Sequence, residues 1–210
     1  MAYDLEEQEK LDAIRQWWDR YGTLIVTVLA VVALSFAGWR GWQWYQGNQA
    51  TQAMGYFEAL EAAATQPDDN ALGRIKAASQ TLRDDFASSG YASRGALVAA
   101  QVLAREKDYD GARAQLQWVI DKSNDKALIP LARLRLAGVL LEQGATDDAF
   151  KLVADAPESF AALYADRRGD ILAAQGKKSE ARAEWEKAIE SLGTDPITQI
   201  IQLKIDALGV

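Results

Sequence analysis

Residues 21–39 run for nineteen positions without a charge, and no other segment limits the fold of this chain so severely. A helix of that length covers about 28 Å at ~1.5 Å per residue, close to the hydrocarbon thickness of a bilayer. Trp17, Trp18 and Tyr21 stand at one end of the run, and Trp39, Trp42, Trp44 and Tyr45 at the other. Such part-apolar, part-polar rings favour the headgroup boundary, and a soluble helix this long would keep a polar face. The run therefore predicts a single transmembrane helix over residues 21–45 with an aromatic belt at each end. A cleaved signal peptide fits poorly. It calls for a short basic leader and small residues at the exit. Here an acidic tail, residues 1–20, sets Asp4, Glu6, Glu7, Glu9, Asp12 and Asp19 against Lys10, Arg15 and Arg20, and bulky Trp39 and Trp42 follow the run. Beyond Arg40 no basic residue occurs until Arg74, so the positive-inside rule predicts a cytoplasmic N-terminus and a C-terminal domain across the membrane. Thr23, Thr27, Ala30, Ala33, Ala37 and Gly41 recur at helical spacing. They form one small-residue face, the kind through which membrane helices approach one another, and are the candidate partner face of the span.

The remaining residues, 46–210, suffice for one domain with a core. The chain has no Cys and no His, which removes thiolate nucleophiles, imidazole bases, disulfides and most zinc sites. A net charge of −7 argues against nucleic acid, whose binding needs clustered cations. This part is rich in Ala, Leu, Gln, Glu, Lys and Arg, which favour helix. Turn-forming clusters interrupt it at 65–70, 88–90, 107–111, 123–126, 143–147, 156–159, 175–179 and 192–195, leaving helix-sized pieces.

Those pieces repeat. With Ala112, Ala149 and Ala181 aligned, Leu103, Leu140 and Leu172 stand nine residues earlier, and Ala100, Ala137 and Gly169 twelve earlier. Leu116, Val153 and Trp185 stand four later, and Val119, Ala156 and Ala188 seven later. Gly144 and Gly176 occupy the turn five before the reference Ala in two of the three units. Small residues let two helices approach, larger ones fill the space left over, and the turn Gly accepts a left-handed conformation. The pattern resembles the tetratricopeptide repeat, a helix-turn-helix unit of about 34 residues. It is degenerate: Ala96, Arg133 and Ala165 replace the expected early Trp, and Asn124, Ala161 and Gly193 the terminal Pro. The expected fold is all-α, a transmembrane helix followed by a tetratricopeptide-like solenoid of helix pairs. A further pair is expected near 50–64 and 71–87. A last helix with Ile197, Ile200, Ile201, Leu203 and Ile205 is expected to cover the final repeat.

Little in the sequence suggests catalysis. The pairs Asp68–Asp69, Asp84–Asp85 and Asp147–Asp148 fall at turns or helix ends, where Asp caps backbone N–H groups. No phosphate loop, dinucleotide fingerprint or nucleophile turn is present, and no cofactor or metal is expected. The most distinctive polar group is Asp166, Arg167, Arg168 and Asp170, in which the two Asp residues share a helix face. It reads either as a binding patch or as a set of bonds to neighbouring helices and turn carbonyls. Stacked helix pairs make a groove suited to extended segments of other proteins.

The acidic tail, the span ending in AGWRGWQWYQ at 37–46, the Ala/Leu-rich pairs and the run ADRRGDILAAQGKKSEARAEWEKAI at 165–189 together resemble the YfgM family of ancillary SecYEG translocon subunits. The resemblance implies a single-pass bacterial inner-membrane protein with a periplasmic repeat domain and no catalytic residues. It implies the SecYEG translocon, a PpiD-type periplasmic chaperone and client polypeptides as partners, in a chaperone-like role linking translocation to periplasmic folding. The alternative is a regulatory membrane anchor that sequesters a soluble regulator or scaffolds an oligomeric complex.

Overall fold

The computed structural model describes residues 2–66 and 68–209. Pro67, within the turn expected at 65–70, lies outside the described residues, as do the side chains of Asp4 and Glu6 in the acidic tail. All regular structure among the described residues is helical. The chain forms two compact units, one up to Gln49 and one from Ala50 onward.

The first unit belongs to α1 (Ala2–Thr65), the one described helix long and apolar enough to cross a membrane. Leu24, Val26, Leu29 and Leu34 are all more than half exposed. At about 100° per residue they are spread around the whole circumference, so no single helix neighbour would cover them, whereas lipid would.

The last turns of α1 open the second unit, which continues through α2 (Ala71–Asp85), α3 (Gly90–Arg105), α4 (Tyr109–Lys122), α5 (Leu128–Glu142) and α6 (Thr146–Val153). A 3-10 turn (Glu158–Phe160) leads to α7 (Ala161–Ala174), α8 (Lys178–Leu192) and α9 (Ile197–Ala207). The pairs α3/α4, α5/α6 and α7/α8 are the three aligned repeats. Leu103, Leu140 and Leu172 are buried on their first helices with Ala100, Ala137 and Gly169, and Ala112, Ala149 and Ala181 on their second. Tyr164, the bulkiest fully buried side chain among the described residues, joins neighbouring pairs by donating its hydroxyl to the Pro130 carbonyl at 2.9 Å.

The three turns inside the pairs share one hydrogen-bond pattern. Asp108 N–H reaches Leu103 O at 2.8 Å, Ala145 N–H reaches Leu140 O at 2.9 Å, and Lys177 N–H reaches Leu172 O at 2.9 Å. This six-residue closure needs a left-handed residue just before the donor. Gly144 and Gly176 supply it, each at φ 76°, and Lys107 does so at φ 63° without the freedom of Gly.

Three expectations need correction. Ala156, expected at an inward position, is exposed, because α6 stops at Val153 and the chain turns away. On α9 only Ile201 and Ile205 face the core, while Ile197, Ile200 and Leu203 are exposed, because only one side of the helix packs on the last pair. Asp84–Asp85 closes α2 at its C-terminal end, where a carboxylate opposes the helix dipole and caps no N–H. Asp108 instead caps α4, accepting from Gly111 N–H at 3.0 Å.

Candidate functional site

Thr23, Thr27, Ala30, Ala33, Ala37 and Gly41 are exposed along one side of α1. Thr27 donates its hydroxyl to the Thr23 carbonyl at 2.7 Å, which satisfies the polar atom within the helix and leaves a methyl outward. Ala37 and Gly41 form the floor of a notch flanked by Phe36, Arg40 and Trp44.

On α7, the four polar residues singled out by sequence divide. Asp166 and Asp170 lie on one face, as their spacing requires, and both accept from Lys204 of α9, at 2.6 and 2.7 Å. The Lys204 ammonium also sits 5.8 Å from the centre of the Trp185 ring. Burial pushes the Asp170 carboxyl above its ordinary pKa, with Asp166 adding repulsion, against the pull of Lys204 and Arg167. Arg168 reaches across to α8: its Nε and Nη2 both lie 2.7 Å from Glu184 Oε2, and its other terminal nitrogen donates to Val153 O at 2.9 Å. Burial works against ionised Glu184, but hydrogen bonds from Lys187 and Arg168 outweigh it and hold its pKa below the ordinary value. These contacts fasten α7 to α6, α8 and α9.

Arg167 points elsewhere. It packs over Gly138 of α5 and lines a cavity of ≈620 Å³ on the face made by the first helices of the three pairs. Arg105, Lys107 and Arg135 line the same cavity, with Glu142 as its one carboxylate among the described lining residues. Ala100, Ala104, Leu116 and Val139 supply apolar walls. Arg135 is partly buried and donates to the Leu97 carbonyl at 3.1 Å, and desolvation lowers its pKa. Among the described residues no carboxylate pairs with Arg135, whereas Arg167 keeps a long ion pair from Nη1 to Asp170 Oδ2 at 3.4 Å and has its Nε buried without a hydrogen-bond partner.

Sequence reasoning singled out Arg167 but passed over Arg135, although the signal was there. Both stand fourteen residues before their reference Ala, Ala149 and Ala181, so the register places them on matching turns of neighbouring helices. Lys204, 38 residues from Asp166, left no local sign.

A family model described as a tetratricopeptide repeat-like domain matches residues 15–210. Three similar proteins bear the name ancillary SecYEG translocon subunit. That of Neisseria gonorrhoeae is 31% identical, covering 99% of this chain and 100% of its own length. That of Haemophilus influenzae is 29% identical over 99% and 100%, and that of Escherichia coli 27% identical over 97% and 97%.

Proposed function

The chain belongs to the family of ancillary SecYEG translocon subunits, built on a tetratricopeptide repeat-like domain, and from that premise we propose that it is a membrane-anchored, non-enzymatic adaptor of the Sec translocon. In this reading residues 1–20 are a cytoplasmic tail, residues 21–45 cross the bacterial inner membrane, and residues 46–210 stand in the periplasm. The small-residue face of the span meets a membrane helix of the translocon. The face formed by α3, α5 and α7 takes extended segments of translocated clients or of a PpiD-type chaperone, and so links translocation to folding. A tethered domain meets such partners at an effective concentration of order mM, so modest intrinsic affinity suffices.

The observation that supports this most directly is that the likeness to the relatives runs through span and repeats together, over 97–99% of the chain. The arginine and lysine bias around the span supports the orientation. The natural absence of cysteine makes a clean test available. Single cysteines at Glu7 and at Gln199 are exposed to a membrane-impermeant maleimide in intact spheroplasts, and SecYEG is then sought in the material purified with the chain. Labelling at Gln199→Cys alone, with SecYEG recovered, is expected. Labelling at Glu7→Cys alone overturns the orientation, and absence of SecYEG overturns the adaptor role.

A further inference from the structure

The whole chain is acidic, yet the cavity lined by α3, α4, α5 and α7 gathers Arg105, Lys107, Arg135 and Arg167 with one carboxylate among its described lining residues, Glu142. Two features set this apart from a scatter of surface charge. Arg135 and Arg167 occupy the same register position in successive repeats, so the fold stacks two guanidinium groups along one groove. Both have unmet capacity as well. Arg135 is held partly out of water with a backbone carbonyl and no carboxylate as its partner among the described residues, and Arg167, beside its 3.4 Å ion pair to Asp170, keeps a buried Nε–H with no acceptor. A desolvated cation without a counter-charge is unfavourable, and a buried unpaired donor costs about 1–3 kcal/mol. Both deficits are removed when an anion with two acceptor oxygens enters.

We propose that this cavity is the subsite of the groove for a Glu or Asp side chain of an extended acidic segment in a partner protein. Its volume lies within the usual range of binding pockets, ~300–1,000 Å³, and exceeds what one small anion would fill. Its apolar walls, Ala100, Ala104, Leu116 and Val139, suit the methylenes and backbone that accompany a side-chain carboxylate. The inference rests on the adaptor reading of the groove and adds to it the charge of the segment bound.

The test uses the full chain in nanodiscs with a short fluorescein-labelled peptide of alternating Glu and Ala, followed by fluorescence polarisation. The same peptide with Gln for Glu, and inorganic phosphate, serve as competitors. The Glu peptide is expected to bind at least about tenfold more tightly than the Gln peptide, and to weaken as salt is raised. Arg167→Gln is expected to weaken it about tenfold, and Glu142→Gln, which removes the carboxylate among the described lining residues, to tighten it about threefold. A gain at Glu142→Gln cannot come from misfolding. Equal affinity for the Glu and Gln peptides, or no change in either variant, overturns the proposal. Displacement by millimolar phosphate also overturns it, in favour of a site for free anions. SecYEG recovery with the same preparations is scored separately: if it persists while the peptide fails to bind, only the subsite falls.

Discussion

Gly169 has no room for a side chain, because a Cβ there would run into the indole of Trp185. The other two repeats carry Ala at this position, Ala100 and Ala137, and meet the smaller Leu116 and Val153. Total volume is kept while its division between the two helices changes. Gly169→Ala is expected to displace the indole, break its bond from Nε1 to Asp166 O (3.1 Å) and cost about 1–3 kcal/mol, read from the urea midpoint. Lys107 makes the opposite case. It holds φ 63°, a conformation its own Cβ disfavours, where the matching residues are Gly144 and Gly176. Lys107→Gly is expected to raise stability by about 0.5–1 kcal/mol, and Gly144→Ala to lower it by about as much. The turn at 107–111 was evident from sequence, but its left-handed residue was not, because sequence reasoning looks for Gly there.

At the scale of elements, the polar clip on α7 gives opposite pH dependences at its two ends. Glu184 ionises more readily folded than unfolded, so its contribution is full above its ordinary pKa and is lost as pH falls through the depressed value. Asp170 is more readily protonated when folded, so its contribution is full below its ordinary pKa and is lost as pH rises through the raised value. The stability gap between the natural chain and Glu184→Gln is expected to widen from about pH 3 to about pH 7, while that for Asp170→Asn narrows. Denaturant unfolding at the two pH values checks this, and gaps that change in parallel contradict it. On α1, the double substitution Ala33→Leu and Ala37→Leu keeps the span apolar but fills its small face. Membrane insertion is expected to persist while recovery of SecYEG falls severalfold, by quantitative blotting. Unchanged recovery reduces the span to a tether.

Across the whole molecule, what sequence made legible was periodic or compositional. Nineteen uncharged residues announce the span, and the spacing of Ala112, Ala149 and Ala181 places three helix pairs with their buried faces. Contacts between distant residues were not legible. Lys204 finds Asp166 and Asp170 only because α9 folds back on the last pair, and Ile200 and Leu203 face outward because only one side of α9 packs on that pair. Of the polar group at 166–170, sequence could not tell that Asp166, Arg168 and Asp170 bond neighbouring helices while Arg167, beside its 3.4 Å contact to Asp170, lines the groove. The proposed function joins two parts of one chain, an anchor beside the translocon and a groove for the segments emerging from it. Site-specific photocrosslinking in native membranes tests both at once, with the photoreactive residue at Ala33 on the span or at Gln101 beside the cavity. SecYEG subunits are expected from position 33, and secreted clients or a periplasmic chaperone from position 101. Self-crosslinks alone from both positions would contradict the account.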